Sequence, residues 1–154
     1  MRLFKSFCFS LSLIILIIDQ YSKYIVSQNI GILSQNIELF PFLNLVYVTN
    51  KGISFGILSE LDISFYLGIL SLIISLFIIL WILKLNKKRE VVSLSMILGG
   101  ALGNGIDRVF NSYVIDFIDF HIEEWHWPAF NFADSFITVG AIIFIFSNFF
   151  NSSK

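Results

Sequence analysis

Long apolar runs separated by short polar segments are the main feature of the sequence. The clearest run covers residues 63–83 and contains no formally charged residue. A helix of this length, at a rise of about 1.5 Å per residue, crosses a hydrocarbon core of about 30 Å. Three further runs, apolar over most of their length, lie at residues 7–24, 91–109 and 132–150. The pattern predicts an all-α membrane protein with four transmembrane helices, in a single domain covering residues 1–154.

The first run has a second interpretation, because Arg2 and Lys5 precede it as basic residues precede a cleavable secretory signal. Such a signal ends in small residues at its cleavage site. This run ends instead in the polar segment 19–23. We therefore expect the first helix to be retained, which places both termini of a four-helix protein on the same side of the membrane.

Residues 25–62 and 110–131 would then connect the spans on the opposite side. The first of these segments contains residues 43–49, which are rich in β-branched and aromatic side chains with partial alternation, a pattern typical of a strand. A turn at residues 50–52 follows it. The sequence predicts a small β-rich cradle outside the membrane, between helices one and two. The second segment has aromatic residues suited to the headgroup level: Tyr113, Trp125 and Trp127.

The third apolar run is rich in small residues. Gly99 and Gly103 lie four positions apart in it. In a bilayer this spacing lets two helices approach closely, because neither side chain separates the backbones. The third helix is therefore expected to pack tightly against a neighbour.

Composition supports a location in lipid. Hydrophobic residues make up 56% of the 154 positions and charged residues only 14%, with eighteen phenylalanines, which excludes an ordinary soluble domain. The net charge of −1 gives no indication of nucleic-acid binding. Cys8 is the one cysteine, so we expect no disulfide framework and no thiol pair, and Cys8 is interpreted as a lipid-facing or core residue.

The basic residues predict the orientation in the membrane. If the termini and the loop at residues 84–90 share one face, that face holds seven of the ten lysines and arginines. These are Arg2, Lys5, Lys84, Lys87, Lys88, Arg89 and Lys154. The positive-inside rule makes this face cytoplasmic. The opposite, extracytoplasmic face then holds every acidic residue except Glu90, and any chemistry is expected there.

Polar residues gather at the outer ends of the predicted spans. Asn104 and Arg108 are four positions apart and therefore share a helix face. Asp134 follows Asn131, a natural N-cap, in the first turn of the fourth span. Asp116 lies among apolar residues in the second outer segment. Taken singly, each has an ordinary explanation as an interfacial anchor or a helix-capping residue.

Taken together, the same positions favour a functional site. Asp19, Asn50 and Gly52 also fall near this depth on this face, whereas unrelated interfacial groups would occur at both faces. Two carboxylates close together at a low-dielectric boundary cannot both ionise easily, so such a pair shares a proton. The pair can act as a base toward water and as an acid toward a carbonyl oxygen. Peptide hydrolysis without a metal or a nucleophilic side chain is the natural chemistry.

Three alternatives remain open from the residues alone. A small transporter or proton channel would place polar groups near the midplane, whereas spans two and four are almost uncharged through their middles. A presenilin-like aspartyl protease needs a Gly-x-Gly-Asp block, which residues 103–107 miss by one position. A metal site could be formed by His121, Glu123, Glu124 and His126. Their spacing does not fit a His-Glu-x-x-His pattern, and we expect these residues to lie in a solvated loop.

Five ordered blocks resemble those of the bacterial lipoprotein signal peptidases, the signal peptidase II family. They lie at residues 19–23, 50–56, 99–108, 114–117 and 130–134. Each block is weak alone, but five in order across nearly the whole chain make the resemblance specific. Ser22 stands where the family commonly has threonine, and Ser54 where it has a small apolar residue. Neither departure affects a catalytic group.

The resemblance implies an aspartyl endopeptidase that removes the signal peptide from a prolipoprotein, cleaving before a cysteine that carries diacylglycerol. It implies Asp116 and Asp134 as the catalytic pair. A second set would shape the site and hold the substrate: Asp19, Asn50, Gly52, Asn104, Arg108 and Asn131. No metal, cofactor or nucleic acid is expected. The expected partners are the diacylglyceryl-prolipoprotein and membrane lipid, and the enzyme is expected to be a monomer in the bacterial inner membrane.

Overall fold

Helices and a small antiparallel sheet alternate along the chain. The computed structural model describes residues 1–52 and 63–149; Ser54, residue 150 and Lys154 lie outside these ranges. The described helices are α1 (Arg2–Gln28), α2 (Ile30–Leu33), α3 (Ser64–Lys84), α4 (Lys88–Asn111) and α5 (Phe132–Phe149). The described strands are β1 (Ile37–Phe40), β2 (Leu43–Asn50), β3 (Val114–Ile122) and β4 (Trp125–His126).

All four predicted spans are helical, but they differ in how apolar they are. Within the described residues, α1, α3 and α5 are long and apolar enough to cross a membrane. Helix α4 falls short of that composition, and thirteen of its 24 residues are buried. It packs against α1, α3 and α5 at once. Because most of its surface meets protein, α4 can carry glycine, serine and charged residues that a lipid-facing helix excludes.

The small residues of α4 allow the close approach that their spacing predicts. A β-carbon on Gly99 would lie 2.7 Å from the Ser12 carbonyl oxygen of α1. A β-carbon on Gly103 would collide with the carboxylate of Asp19, which also lies on α1. The Ser12 hydroxyl donates to the Ser95 carbonyl at 2.7 Å across this contact. Helices α1 and α4 therefore meet almost backbone to backbone, which brings their polar groups within hydrogen-bonding reach.

The sheet draws on both segments between the helices. Strand β2 confirms the strand expected at residues 43–49. It pairs with β1 on one side and with β3 on the other, in the order β1-β2-β3-β4. Strand β3 comes from the segment between α4 and α5, for which the sequence predicts aromatic residues at the headgroup level but no strand. The register places Asn50 opposite Val114 and Val48 opposite Asp116, so the end of β2 lies beside the start of β3.

Two apolar clusters hold these elements in place. One joins α1, α3 and α4 and contains Cys8, which is fully buried and thus a core residue. The other packs Ile115 and Phe117 of β3 against Val26 of α1 and Leu33 of α2. Side chains alternate across a strand, so burying residues 115 and 117 on one face of β3 turns residue 116 to the other.

Candidate active site

A cavity of about 540 Å³ lies between the sheet and the ends of α4 and α5. Five of the polar residues predicted for the site line it: Asn50, Asn104, Arg108, Asp116 and Asp134. The remainder of its wall is mainly apolar or aromatic and includes Trp127 and Phe130. A mostly apolar cavity with a few convergent polar groups is the usual form of a binding or catalytic site.

Asp134 is held at the cavity by the start of α5. Asn131 is the residue before the helix, and its side-chain oxygen accepts from the backbone N–H of Asp134 at 2.9 Å. In return, the Asp134 carboxylate accepts from the backbone N–H of Asn131 at 3.2 Å. This reciprocal pair is a capping box, which satisfies two N–H groups that a helix start leaves free. The helix cap thus fixes where the Asp134 carboxyl lies.

Asp116 projects from β3 and is only 2% exposed. One of its oxygens accepts from Asn131 Nδ2 at 2.7 Å and the other from Asn50 Nδ2 at 3.0 Å. Burial, and after it the nearby charge of Asp134, raise the pKa of Asp116 from 3.8 to about 6. The two amide hydrogen bonds and the Lys23 ammonium act in the opposite direction. Asp116 therefore keeps a proton at a pH where an ordinary aspartate has lost it.

Two asparagine amides connect the carboxyl groups. Asn104 Nδ2 donates to Asp134 Oδ1 at 2.8 Å. Asn131 Nδ2 lies 3.2 Å from Asn104 Oδ1 as well as 2.7 Å from Asp116. A network in which each polar group is satisfied holds its members in one arrangement. The two aspartates consequently face one cavity with little freedom to separate.

Arg108 closes the side of the site nearest β2. Its Nη2 donates to the Gly52 carbonyl at 3.0 Å, and the Gly52 N–H donates to Asn50 Oδ1 at 3.1 Å. That contact leaves the Asn50 nitrogen to face Asp116. The Arg108 Nε is buried and has no hydrogen-bond partner among the described residues. Arg108 thus lines the cavity with a guanidinium that is held in a fixed position.

Asp19 is the one predicted acidic residue that does not line the cavity. It is fully buried behind the site, and its Oδ1 accepts from the Ala133 N–H at 2.9 Å. Its Oδ2 accepts from the Lys23 ammonium at 2.7 Å, and Lys23 also pairs with Asp107 at 2.6 Å. No role was predicted for Lys23 or Asp107. The four-residue spacing of Asp19 and Lys23 in an apolar helix could have indicated the pair, since ionisable groups inside a membrane helix are commonly paired.

The residues of the alternative metal site lie at the far end of the sheet. His126 Nδ1 is 2.9 Å from both oxygens of Asp119. The His121 ring stacks on that of His126 with centroids 5.0 Å apart, while Glu123 and Glu124 are exposed. Within residues 1–52 and 63–149, no three His, Cys, Asp or Glu side chains are grouped as metal ligands would be.

Comparisons with known proteins match nearly the whole chain. The sequence model of the family described as signal peptidase II matches residues 11–150. The lipoprotein signal peptidase of Thermodesulfovibrio yellowstonii is 44% identical over 137 residues, covering 88% of this chain and 89% of that protein. The lipoprotein signal peptidase of Francisella tularensis subsp. novicida is 40% identical over 151 residues, covering 95% and 93%.

Solved structures give the same result for the fold. A bacterial membrane enzyme solved at 2.3 Å superposes with a TM-score of 0.85 and 32% identity, covering 96% of this chain and 90% of that one. A second, solved at 1.9 Å, gives a TM-score of 0.76 and 31% identity, covering 92% of each chain. The similarity therefore extends over nearly all of both sequence and fold.

Proposed function

Because the chain belongs to the signal peptidase II family and is a membrane protease that processes lipoproteins, we propose that it is an aspartic endopeptidase with Asp116 and Asp134 as its catalytic pair. Its substrate is a prolipoprotein, cleaved before the cysteine that carries diacylglycerol. The observation that carries this proposal is the meeting of two carboxyls at one cavity, the buried one of Asp116 and the half-buried one of Asp134, each held by asparagine amides. Neither a helix cap nor an interfacial anchor requires that arrangement.

The different surroundings of the two carboxyls support different roles for them. Asp116, with its pKa raised to about 6 by burial and by Asp134, is the member that holds the shared proton and acts as the acid. Asp134 is the base and is partly open to the cavity. Two carboxyls whose surroundings separate their proton affinities are the general means by which one site supplies both an acid and a base.

The reaction follows from these roles. Asp134 takes a proton from a water molecule as the water oxygen bonds to the scissile carbonyl carbon, and Asp116 gives its proton to the carbonyl oxygen. The tetrahedral intermediate then breaks its carbon–nitrogen bond. The leaving amine takes the proton from Asp134, and a hydroxyl of the intermediate returns a proton to Asp116. Both aspartates end in their starting states, so no metal is needed to complete the cycle.

The remaining predicted residues serve the substrate or the geometry. Arg108 lines the cavity, and we assign its guanidinium to a carbonyl of the bound peptide. Asn50 and Gly52 hold the Asp116 side of the site. Asn104 and Asn131 hold the Asp134 side, and Asp19 supports the start of α5 from behind.

The proposed arrangement in the membrane has four spans, with α4 as the central one. Its polar end carries Asn104 and Arg108 and lies level with the start of α5 and the sheet. The substrate brings an apolar signal helix and two acyl chains that all lie in the bilayer. A site at the headgroup level on the extracytoplasmic side would meet the scissile bond where water is available. The chain is proposed to act as one monomeric domain.

Purified protein in detergent is expected to cleave a diacylglyceryl-modified prolipoprotein and to retain full activity in EDTA. The expectation follows from a mechanism that uses two carboxyls and water alone. Turnover is measured by the mobility shift of the substrate, with an unlipidated substrate as control. Loss of activity in EDTA that zinc restores would contradict the mechanism and would favour a metal site that includes His121 and His126.

Both termini are expected to lie in the cytoplasm. The basic loop at residues 84–90 and the N-terminal Arg2 and Lys5 place this face inside by the positive-inside rule. A cysteine added after Lys154 in a Cys8→Ser background should resist an impermeant thiol reagent supplied outside intact cells. A cysteine at exposed Glu123 should react. Labelling of the C-terminal cysteine from outside would overturn this topology.

Arg108→Ala is expected to lower kcat/KM by about 10²-fold while the protein stays folded in the membrane, because a substrate misplaced by an ångström loses about that much rate. Arg89→Ala is the matched control, since Arg89 is an exposed arginine at the other end of α4. Kinetics and thermal melts of both variants check the result. Wild-type turnover by Arg108→Ala would leave Arg108 as an interfacial residue without a role in the reaction.

A further inference from the structure

Lys23 carries a buried positive charge behind the cavity. Its side chain is 4% exposed, and its ammonium lies 2.7 Å from Asp19 Oδ2, 2.6 Å from Asp107 Oδ2 and 2.8 Å from Asn104 Oδ1. An ammonium has three N–H donors, so the three contacts satisfy it completely. Two of the three acceptors are carboxylates that neutralise the charge. The third is the amide of a residue that binds a catalytic carboxyl.

The contact with Asn104 determines which way that amide points. An ammonium can only donate, so the Asn104 atom that faces Lys23 must be the oxygen. The amide nitrogen then faces the cavity, where it donates to Asp134 Oδ1 at 2.8 Å. A reversed amide would present its oxygen to the Asp134 carboxylate and its N–H groups to the ammonium. Both reversed contacts are repulsive.

Asn131 restrains the same amide less strongly. Its Nδ2 lies 3.2 Å from Asn104 Oδ1 and is closer, at 2.7 Å, to Asp116 Oδ1. Hydrogen bonds with an ionised partner are shorter and stronger than those between neutral groups. Of the two groups that contact the Asn104 oxygen, Lys23 is therefore the stronger restraint on the orientation of the amide.

We propose that Lys23 is a positioning residue for the peptidase reaction, which orients the Asn104 amide so that its nitrogen holds Asp134. This inference rests on the proposed function, because it gives Lys23 a role only if Asp134 is catalytic. Lys23 does not line the cavity and acts through Asn104. Its substitution should lower kcat and leave KM nearly unchanged, because the substrate still meets the same cavity wall.

The charge of Lys23 has a second consequence at the pair. It lowers the pKa of Asp116, against the burial and the Asp134 charge that raise it. The other charged groups around Lys23 are Asp19 on α1 and Asp107 on α4. Relative to a protein that keeps Lys23, removing the ammonium should therefore move the Asp116 pKa upward. A residue that served the fold alone would leave the pH profile where it is.

The test limits the number of buried carboxylates that lose their cation. Lys23→Met alone would leave two buried carboxylates without their cation, which commonly prevents folding. In the double variant Lys23→Met with Asp107→Asn, only Asp19 remains charged, so the formal net charge stays at −1, as it is with two carboxylates and one ammonium. Asp107→Asn alone is the reference, because it retains Lys23 and its contact with Asn104.

Relative to Asp107→Asn, the double variant is expected to lose about 10²-fold in kcat with little change in KM, and its kcat/KM profile should shift to higher pH. Adding Asn104→Ala to either protein should remove the difference between them, as expected for groups that act in series. Equal kcat and equal pH profiles in the two folded proteins would overturn the role of Lys23. Failure of wild-type and Asp107→Asn protein to cleave would instead overturn the proposed function.

Thermal melts decide whether the double variant is folded at the assay temperature. If it is not, Lys23→Arg carries the test, because it keeps the charge while its planar guanidinium pairs side-on with the two carboxylates. A folded Lys23→Arg variant is expected to show a reduced kcat at an unchanged pH profile. Wild-type kcat in that variant, with no further loss when Asn104→Ala is added, would overturn the inference, because neither the ammonium nor the amide that it orients would then matter.

Discussion

Asp116→Asn and Asp134→Asn are each expected to abolish detectable cleavage of a diacylglyceryl-modified prolipoprotein. Asparagine keeps the size of aspartate and part of its hydrogen bonding, but it cannot accept or release a proton in the reaction. General acid–base catalysis typically contributes about 10² to 10⁴ in rate for each group. The double variant should be no worse than either single one, because two groups that act as a unit lose their joint contribution once.

Two interfacial anchors would behave differently. Each substitution would then cost about 1 kcal/mol in the free energy of unfolding, the two costs would roughly add, and the folded fraction would still cleave. Asp119→Asn is the matched control, since Asp119 is buried on the same strand but binds Asn44 and His126 away from the cavity. It should retain cleavage. Appreciable turnover by well-folded Asp116→Asn or Asp134→Asn protein would refute the assignment of the pair.

The sequence predicts the helices well because lipid imposes a simple rule on them. A chain in a bilayer must satisfy its backbone inside each span, so long apolar runs become helices, as α3 shows. The rule is weakest for α4. Its serines, glycines and charged residues lower its apolar content, and only its position between three other helices explains why they are tolerated.

The sheet is predicted only in part, for a different reason. Strand β2 is visible in its own residues, whereas the sequence predicts no strand for the residues of β3. Its partner β2 lies more than sixty positions earlier in the chain, so the pairing depends on the tertiary fold. The side chain of Asp116 points toward the cavity because of that pairing and because Ile115 and Phe117 pack on the opposite face of β3. No local sequence pattern predicts this orientation.

Within the site, local contacts can be predicted from the sequence, whereas contacts between distant parts of the chain cannot. The capping box of Asn131 and Asp134 is local, and its spacing predicts it. The contact of Asn104 with Asp134 joins two helices. The role of Lys23 becomes evident only when Asp19, Asn104 and Asp107 are seen around one ammonium.

A pH-dependent difference in stability is the second large effect expected. In wild-type protein, burial first and the Asp134 charge second raise the pKa of Asp116 from 3.8 to about 6. Between these two values the folded state holds a proton that the unfolded state has released. The free energy of unfolding therefore falls as pH rises through this range, and the contribution lost is about 3 kcal/mol for a shift of about two units. Above pH 6 the loss is complete.

Asp116→Asn removes the titrating group and with it this pH dependence. At pH 4 the variant differs from wild type by a constant offset, because an amide cannot accept hydrogen bonds from both Asn50 and Asn131 as the carboxyl does. As pH rises from 4 to 7, the variant should gain stability relative to wild type. Thermal melts of the two detergent-solubilised proteins across this range measure the change. The offset at low pH serves as the internal reference.

The outcome separates a proton-holding acid from a carboxylate that is ionised throughout. Parallel stability curves would mean that Asp116 titrates alike in the folded and unfolded chains, and the acid role assigned to it would then fail even if the residue proved essential. Diverging curves, combined with loss of cleavage in the same variant, would link one proton to both effects. A site that destabilises the ionised form of its own acid gives up stability above pH 6 in order to keep that proton available for the carbonyl oxygen of the substrate.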